Sequence, residues 1–314
     1  MSEIHDRPLV WDADVEPITQ FLLETYTRYG RLFNWDPRRW QGTVYHNNDA
    51  DMTQRAHQLP QSVHLWLNDD QHIVGVVIPE SPGSVFLQIH PDYRAIEARM
   101  LDWVETSLPR QQDSDGREHM DIWAEQGDTH RETHLAQRDY MQTEMFETMY
   151  RRPMSEPLPT LTLPEGYRMR TMRQHPDDQE AIARLLNAAF NRTFHSAEEY
   201  RNFQRSPYYR AEFDMVVEAA DGTLAANAGL NIFEHESFAL VEPVCTHPNH
   251  QGKGLARAAI VEGLRRAQEM GIKAAFVGAW YSNAVSNHVY QSLGFTDGRR
   301  QYLWRRYSSA MEMR

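Results

Sequence analysis

The stretch Glu242-Pro243-Val244-Cys245-Thr246-His247-Pro248-Asn249-His250-Gln251-Gly252-Lys253-Gly254-Leu255-Ala256 decides how the rest of the chain is read. An apolar run, Phe238-Ala239-Leu240-Val241, leads into it and predicts a strand, and a helical pattern begins near Leu255. The two glycines between them let the backbone turn and approach an anion closely. The first N–H groups of the following helix have no intrahelical partner, and the helix dipole favours negative charge there. Strand, glycine loop and helix N-terminus together make an anion cradle, to which Lys253 and Arg257 add positive charge. The spacing of a Walker phosphate loop is absent. On these residues alone, a glycine-rich turn without a ligand stays the simpler reading.

The same order of elements occurs twice. His90-Pro91-Asp92-Tyr93-Arg94 and His247-Pro248-Asn249-His250-Gln251 stand half a chain apart. Each follows an apolar run, Ser84–Ile89 in the first copy, and each precedes a helical pattern: Ile96, Met100, Trp103 and Val104, then Ala256, Ile260, Leu264 and Ala267. Strand-like runs follow at Met120–Ala124 and Ala274–Trp280, then short helices ending at Asp139-Tyr140 and Gly294-Phe295. Five elements in one order point to duplication. Prolines 153, 157, 159 and 164 mark the junction as an extended linker. Beyond it, a strand is expected at 163–170, a helix at 178–190, and a strand pair at 213–218 and 224–233 around Asp221-Gly222. The Asp- and Gln-rich stretch 110–117 is expected to be a solvated loop.

The 314 residues suggest about two domains at roughly 150 residues each, and 41% hydrophobic content lets each build a core. A formal net charge of −12 argues against a nucleic-acid or anionic-membrane binder. No apolar run approaches the roughly 20 residues of a membrane span, and the N-terminus lacks a signal-peptide profile, so a cytoplasmic protein is expected. Cys245 is the single cysteine, which excludes an intrachain disulfide. His247 and His250 could ligate metal, but two ligands make no site, and a capping role explains them better.

Gln251-x-x-Gly254-x-Ala256 after a strand ending in Thr246-His247-Pro248 resembles motif A of the GCN5-related N-acetyltransferase (GNAT) superfamily. Asn283-Ala284-Val285-Ser286-Asn287-His288-Val289-Tyr290-Gln291-Ser292-Leu293-Gly294-Phe295 resembles its motif B, one helix and one strand later as the family requires. The resemblance covers 160–307 well and 15–152 weakly, and the tandem layout is similar to that of double-domain members such as mycothiol synthase. It implies an α/β (α+β) fold of two tandem GNAT-like domains, each a mixed, mostly antiparallel sheet flanked by helices. The expected division is a degenerate domain without turnover at 1–152, a linker at 153–162 and a catalytic domain at 163–314.

The same resemblance implies acetyl-CoA as cosubstrate and no metal. The pyrophosphate would lie on backbone from Gln251, Gly252 and Lys253 to Gly254, Leu255 and Ala256. The pantetheine arm would pair with Val244, Cys245 and Thr246, and Asn283, Asn287 and Tyr290 would flank the thioester. The implied activity is N-acetyltransfer to the amine of a small-molecule acceptor, by direct attack in a ternary complex. The rival reading is a non-catalytic acyl-CoA-binding sensor or scaffold. No nucleic-acid or membrane partner is implied, and a homodimer is compatible.

Acetyl transfer to an amine needs an acceptor that has lost its proton, a hydrogen-bond donor for the developing oxyanion, and protonation of the departing thiolate. Tyr290 stands where the family keeps its general acid, and a phenol of pKa about 10 holds its proton at neutral pH. Glu242, two residues before Val244, is read either as the base, with a pKa raised by partial burial, or as a carboxylate that binds a cationic acceptor. In histone-type members the base lies where this chain has Leu240. Glu234, His235 and Glu236 are alternatives on the preceding turn. Cys245 has no evident paired base and is read as a small strand residue. In the first copy, Arg94-Ala95-Ile96-Glu97-Ala98 has no glycine and sets Glu97 where phosphate would sit, and Leu135 falls at the tyrosine position. That copy is expected to be a scaffold.

Overall fold

The computed structural model describes residues 3–29 and 35–308. By internal packing the chain divides into two units. One comprises the described parts of 1–40, 53–147 and 299–314, the other residues 41–52 and 148–298.

The first unit holds β1 (His5–Pro8), α1 (Trp11–Tyr29) and the start of α2 (Pro37–Tyr45). Most of α3 (Asp49–Ser62), β2 (His64–Leu67), β3 (Ile73–Ser81) and β4 (Ser84–Ile89) follow. Then come α4 (Glu97–Ser107), β5 (Gln111–Gln112), β6 (Glu118–Glu125), α5 (Thr129–Ala136) and the first part of β7 (Met141–Pro153). Of the stripe expected from sequence, Met100 and Val104 of α4 are buried against Val77, Leu87 and Ile122 of the sheet, Trp103 is half-buried, and Leu101 joins the buried face. Trp35, Phe86 and Trp123 stack in series at ring separations of 5.8 and 5.3 Å. The 110–117 stretch is mostly loop, with β5 pairing briefly against β6.

The second unit begins in regular structure with β8 (Tyr167–Thr171), α6 (Pro176–Phe190), α7 (Ala197–Phe203), β9 (Asp214–Ala219) and β10 (Leu224–Phe233). β11 (Phe238–Thr246), α8 (Leu255–Glu269), β12 (Ala274–Trp280), α9 (Ala284–Ser292) and β13 (Asp297–Tyr307) complete the chain. Its strands run in the order β12-β11-β10-β9-β8. All neighbours are antiparallel except β11 and β12, just as β4 and β6 form the parallel pair of the first unit. The helical spacing read from Leu255 onward buries Leu255, Ala259, Ile260, Leu264 and Ala267 against the sheet. Gly263 lets α8 come close to β10: a Cβ there would stand 2.5 Å from Leu230 Cδ1.

The boundaries expected from sequence, 1–152 and 163–314 about a linker at 153–162, need correction at the ends. From Arg299 on, the last strand, β13, belongs to the first unit and pairs there with β6, from Gln301↔Glu125 to Tyr307↔His119. Arg305 fastens it by two bonds of 2.7 and 2.8 Å to the buried Asp121 carboxylate. Residues 41–52, from the first half of the sequence, pack in the second unit. Strand partners so distant in sequence leave no local signature. Among the described residues no helix is long and apolar enough to cross a membrane.

Candidate active site

The parallel register of β11 and β12 runs from Phe238↔Ala274 to Leu240↔Phe276 and no further. Beyond it, β11 keeps its bonds to β10 on the other side, with Ala228↔Val244, Asn227↔Cys245 and Ala226↔Thr246. Among the described residues, the edge of β11 that follows Leu240 therefore has no β12 partner along Val241–Thr246. A register shift between Ala228 and Leu230 sets Glu242 and Pro243 opposite Gly229. A Cβ at Gly229 would meet the Glu242 carbonyl oxygen at 3.0 Å and Pro243 Cδ at 3.1 Å. The Asn231 amide donates to the same carbonyl at 3.0 Å.

At the end of β11 the His247 ring accepts from the Asn249 N–H at 3.2 Å and caps a short 3-10 turn, the structural role expected for it. Gly252 and Gly254 both take left-handed backbone, φ 75° and 72°, where a side chain is strained. Gly254 is the N-cap of α8, and no side chain caps the helix. Its first turn therefore presents N–H groups to an exposed loop. Lys253 donates to the Tyr167 hydroxyl at 2.7 Å, which also bonds His250 Nδ1 at 2.9 Å. Burial and the charge of Lys253 hold His250 below the usual histidine range. The buried Nε of Arg257 has no hydrogen-bond partner among the described residues. Two left-handed glycines, an uncapped helix start and this guanidinium are groups that could hold an anion.

Motif B folds as α9. Asn283 caps it by accepting from Ser286 N–H at 3.0 Å. Asn287 donates to the carbonyls of Trp280 (3.0 Å) and Asn283 (2.8 Å) and accepts from the Tyr150 hydroxyl at 2.8 Å. The Asn283 side chain caps its own helix, while Asn287 ties that helix to Trp280 and Tyr150. Tyr290 is buried, and burial, with the negative charge of Glu242 second, pushes its phenol up to about 12. Burial likewise pushes the Cys245 thiol up to about 12, which removes it as a nucleophile near neutral pH. Its side chain packs with Met172, Ile182 and Val216.

Glu242 departs from expectation: its side chain is exposed rather than partly buried. The bulge opposite Gly229 turns it out of the regular strand alternation. It borders a small recess together with Tyr200, Tyr209, Arg210, Asn231 and Pro243, none of which the sequence reading singled out. A signal existed for one of them, because Asn227 and Asn231 interrupt the apolar run of β10. Asn227, Tyr200 and Tyr209 all donate to the buried Asp214 carboxylate, which orders this wall. Glu234, an alternative base, is held by Arg210 at 2.8 Å.

A family model described as "Acetyltransferase (GNAT) family" matches residues 180–295, the span that holds this β11 edge, the glycine loop and α9. Mycothiol acetyltransferases from Thermobispora bispora and Acidothermus cellulolyticus are both 28% identical to the chain. They match over 77% and 78% of it, and over 83% and 80% of their own lengths. Residues 180–295 belong to the GNAT family, and most of the chain is similar to these acetyltransferases. Solved structures agree on the fold. A GCN5-related N-acetyltransferase from Sphaerobacter thermophilus aligns with TM-score 0.64 at 17% identity, covering 97% of this chain and 95% of that one. A tandem GNAT protein from the clavulanic acid biosynthesis pathway aligns with TM-score 0.62 at 14% identity, covering 98% and 99%.

The first GNAT copy fills its own cradle. Glu97, fully buried at the start of α4, accepts from Arg94 Nε at 2.8 Å and from the buried Arg131. Arg94 also donates to both oxygens of Asp128, at 2.8 and 3.0 Å. The position of the second copy's exposed glycine loop is taken here by charges that neutralise one another. Leu135, at the position of Tyr290, is fully buried and carries no proton to give.

Proposed function

We propose that the second unit transfers an acetyl group from acetyl-CoA to the amine of a small-molecule acceptor, while the first unit serves as a scaffold without turnover. The observation that carries this reading is the opening of β11 from β12 beside a helix start with two left-handed glycines and no side-chain cap. Backbone N–H groups from Gln251 to Ala256, with Arg257, suit a pyrophosphate. The edge at Val244, Cys245 and Thr246 suits an extended arm with amide groups, which would add to it as a strand would. Asn283 and Asn287 keep α9, and with it Tyr290, in position.

In this mechanism the acceptor amine gives up a proton to Glu242 or to a water held by it. The nitrogen then attacks the thioester carbonyl, the C–N bond forms and the C–S bond breaks. Tyr290 donates its proton to the departing sulfur. An exposed carboxylate beside the acceptor recess supports Glu242 as base or as ligand for a cationic amine. The names of the relatives make a mycothiol-type acceptor the first to try.

Calorimetric titration with acetyl-CoA tests the reading, followed by a free-thiol release assay over amine classes. Binding that disappears in Gly252→Asp/Gly254→Asp, together with turnover on one acceptor class, is expected. No binding, or binding unchanged by the two substitutions, contradicts it. Binding without turnover on every class leaves the scaffold reading in its place.

A further inference from the structure

The geometry points to a divalent transition-metal site formed by His46, His195 and Glu199 in the second unit, apart from the residues assigned to acyl transfer. Each of the three offers a ligand atom, and these atoms lie within 4.8 Å of one another. Histidine nitrogen and carboxylate oxygen bind zinc at about 2.0–2.1 Å in a tetrahedron, so neighbouring donor atoms should stand about 3.3 Å apart. His46 Nε2 is 3.5 Å from Glu199 Oε1, and His195 Nδ1 is 3.1 Å from Glu199 Oε2. The carboxylate stands between the two rings near the spacing that a shared ion requires, and the third edge is within 4.8 Å.

Charge and burial support the same assignment. The side chains of His195 and Glu199 are 6% and 10% exposed. Among the described residues, the ion-pair distances of the Glu199 carboxylate are to these two imidazoles, and no lysine or arginine reaches it. His195 Nδ1 lies within hydrogen-bond distance of both Glu199 oxygens, at 3.2 and 3.1 Å, so the ring nitrogen assigned to the ion is already aimed at the carboxylate. The buried Phe203 packs 5.1 Å from the His46 ring and gives the site an apolar neighbour on that side.

The simpler role of Glu199 is a capping box. It accepts from Ser196 N–H at 3.2 Å, while its own N–H bonds Ser196 Oγ at 3.1 Å. That box explains one carboxylate oxygen and leaves the His46 contact over. Two nitrogens and one oxygen favour zinc or a similar first-row ion over magnesium or calcium. The ion would fasten residues 41–52 to α7, where Asn202 already donates to the Asn47 carbonyl at 2.9 Å and to Asp49 at 2.8 Å.

The test uses the full chain, freed of metal by chelator and titrated with cobalt(II), then with zinc in competition. The expected result is one equivalent per chain with the visible bands of four-coordinate cobalt, and a melting temperature that rises with saturating zinc. His46→Gln and His195→Gln should each lose the bands and the thermal shift. Each should weaken zinc binding by more than the roughly 10–100-fold that losing an outer-shell partner costs. No stoichiometric metal in the wild type, or bands that survive in both variants, overturns the assignment. X-ray absorption at the zinc edge of the loaded wild type needs no variant: fewer than two imidazoles around the ion also overturns it.

Discussion

The buried hydroxyl of Tyr290 on α9 lies within the field of the exposed Glu242 carboxylate on β11. Burial first, and then that charge, push the phenol up to about 12, with a Ser286 hydrogen bond working the other way. The relation joins the two motifs that the sequence pairs only by spacing. It keeps a proton on Tyr290 throughout the neutral range, as a general acid requires.

Tyr290→Phe should lower kcat by about 100-fold or more, within the roughly 10²–10⁴-fold typical of general acid catalysis. Acetyl-CoA affinity from calorimetry should stay the same, because the hydroxyl acts on the departing sulfur. An unaltered kcat would remove Tyr290 from the mechanism.

The pH profile carries the sign of the same shift. A group with pKa raised to about 12 stays protonated as pH rises through 9. The rate should therefore climb as the acceptor amine loses its proton, without a falling limb below about pH 10. A falling limb near pH 8–9 that Tyr290→Phe abolishes would show that the phenol ionises far earlier than its burial allows.

Gly254→Ala should cost about 1–2 kcal/mol of stability through its left-handed backbone alone, since nothing within 4 Å would clash with the new Cβ. Its effect on acetyl-CoA affinity should be larger, because the ligand must approach the backbone there. Arg257→Gln should leave stability nearly unchanged and weaken acetyl-CoA about 10-fold, with reduced salt dependence. Chemical denaturation beside calorimetry separates the two effects, and equal losses in both would mean that the loop has a structural role only.

The first unit should bind no acetyl-CoA. Labelled acetyl-CoA should saturate at one per chain, because Glu97, Arg94, Asp128 and Arg131 already satisfy one another where the anion would sit. Glu97→Gln should destabilise that unit by about 3 kcal/mol or more, since it leaves a fully buried arginine without its carboxylate. A stoichiometry of two would show a working first cradle.

Stability on the acid side should depend on Asp178. Burial by itself would raise this carboxyl, yet bonds from Arg173 and Arg170 outweigh it and hold the group well below the usual carboxylate range. A depressed folded pKa contributes stability that is present above the unfolded value of about 3.9 and is lost as pH falls toward the folded one. Asp178→Asn should cost about 2 kcal/mol at pH 7, less than a fully buried pair because Arg173 is largely exposed. It should also flatten the loss of stability below about pH 4 in urea titrations. An unchanged acid slope would assign that slope to other carboxylates.

Much of the fold was legible where the signal is local. The apolar run at Phe238, the glycines of the loop and the stripe from Leu255 define strand, turn and helix by their own spacing, and β11 and α8 follow them. The motif quoted from Asn283 folds as a helix, which Asn283 caps. Glu242 was legible as a candidate but not in its environment. Its exposure comes from a bulge opposite Gly229, on a neighbouring strand. Tyr200, Tyr209 and Arg210, which share its recess, sit in a segment with no motif.

By itself the sequence determined the repeated order of elements, the glycine-opened helix start and the tyrosine of the second motif. These depend on residue spacing and on backbone preferences that act over a few residues. Tertiary structure alone decided that β13 pairs with β6, that β11 leaves β12 after Leu240, and that Arg94 and Arg131 close on Glu97. It also decided that His46 meets His195 and Glu199. Each of these joins groups that no periodicity connects, and their energy comes from pairing and burial that exist only once the chain has folded.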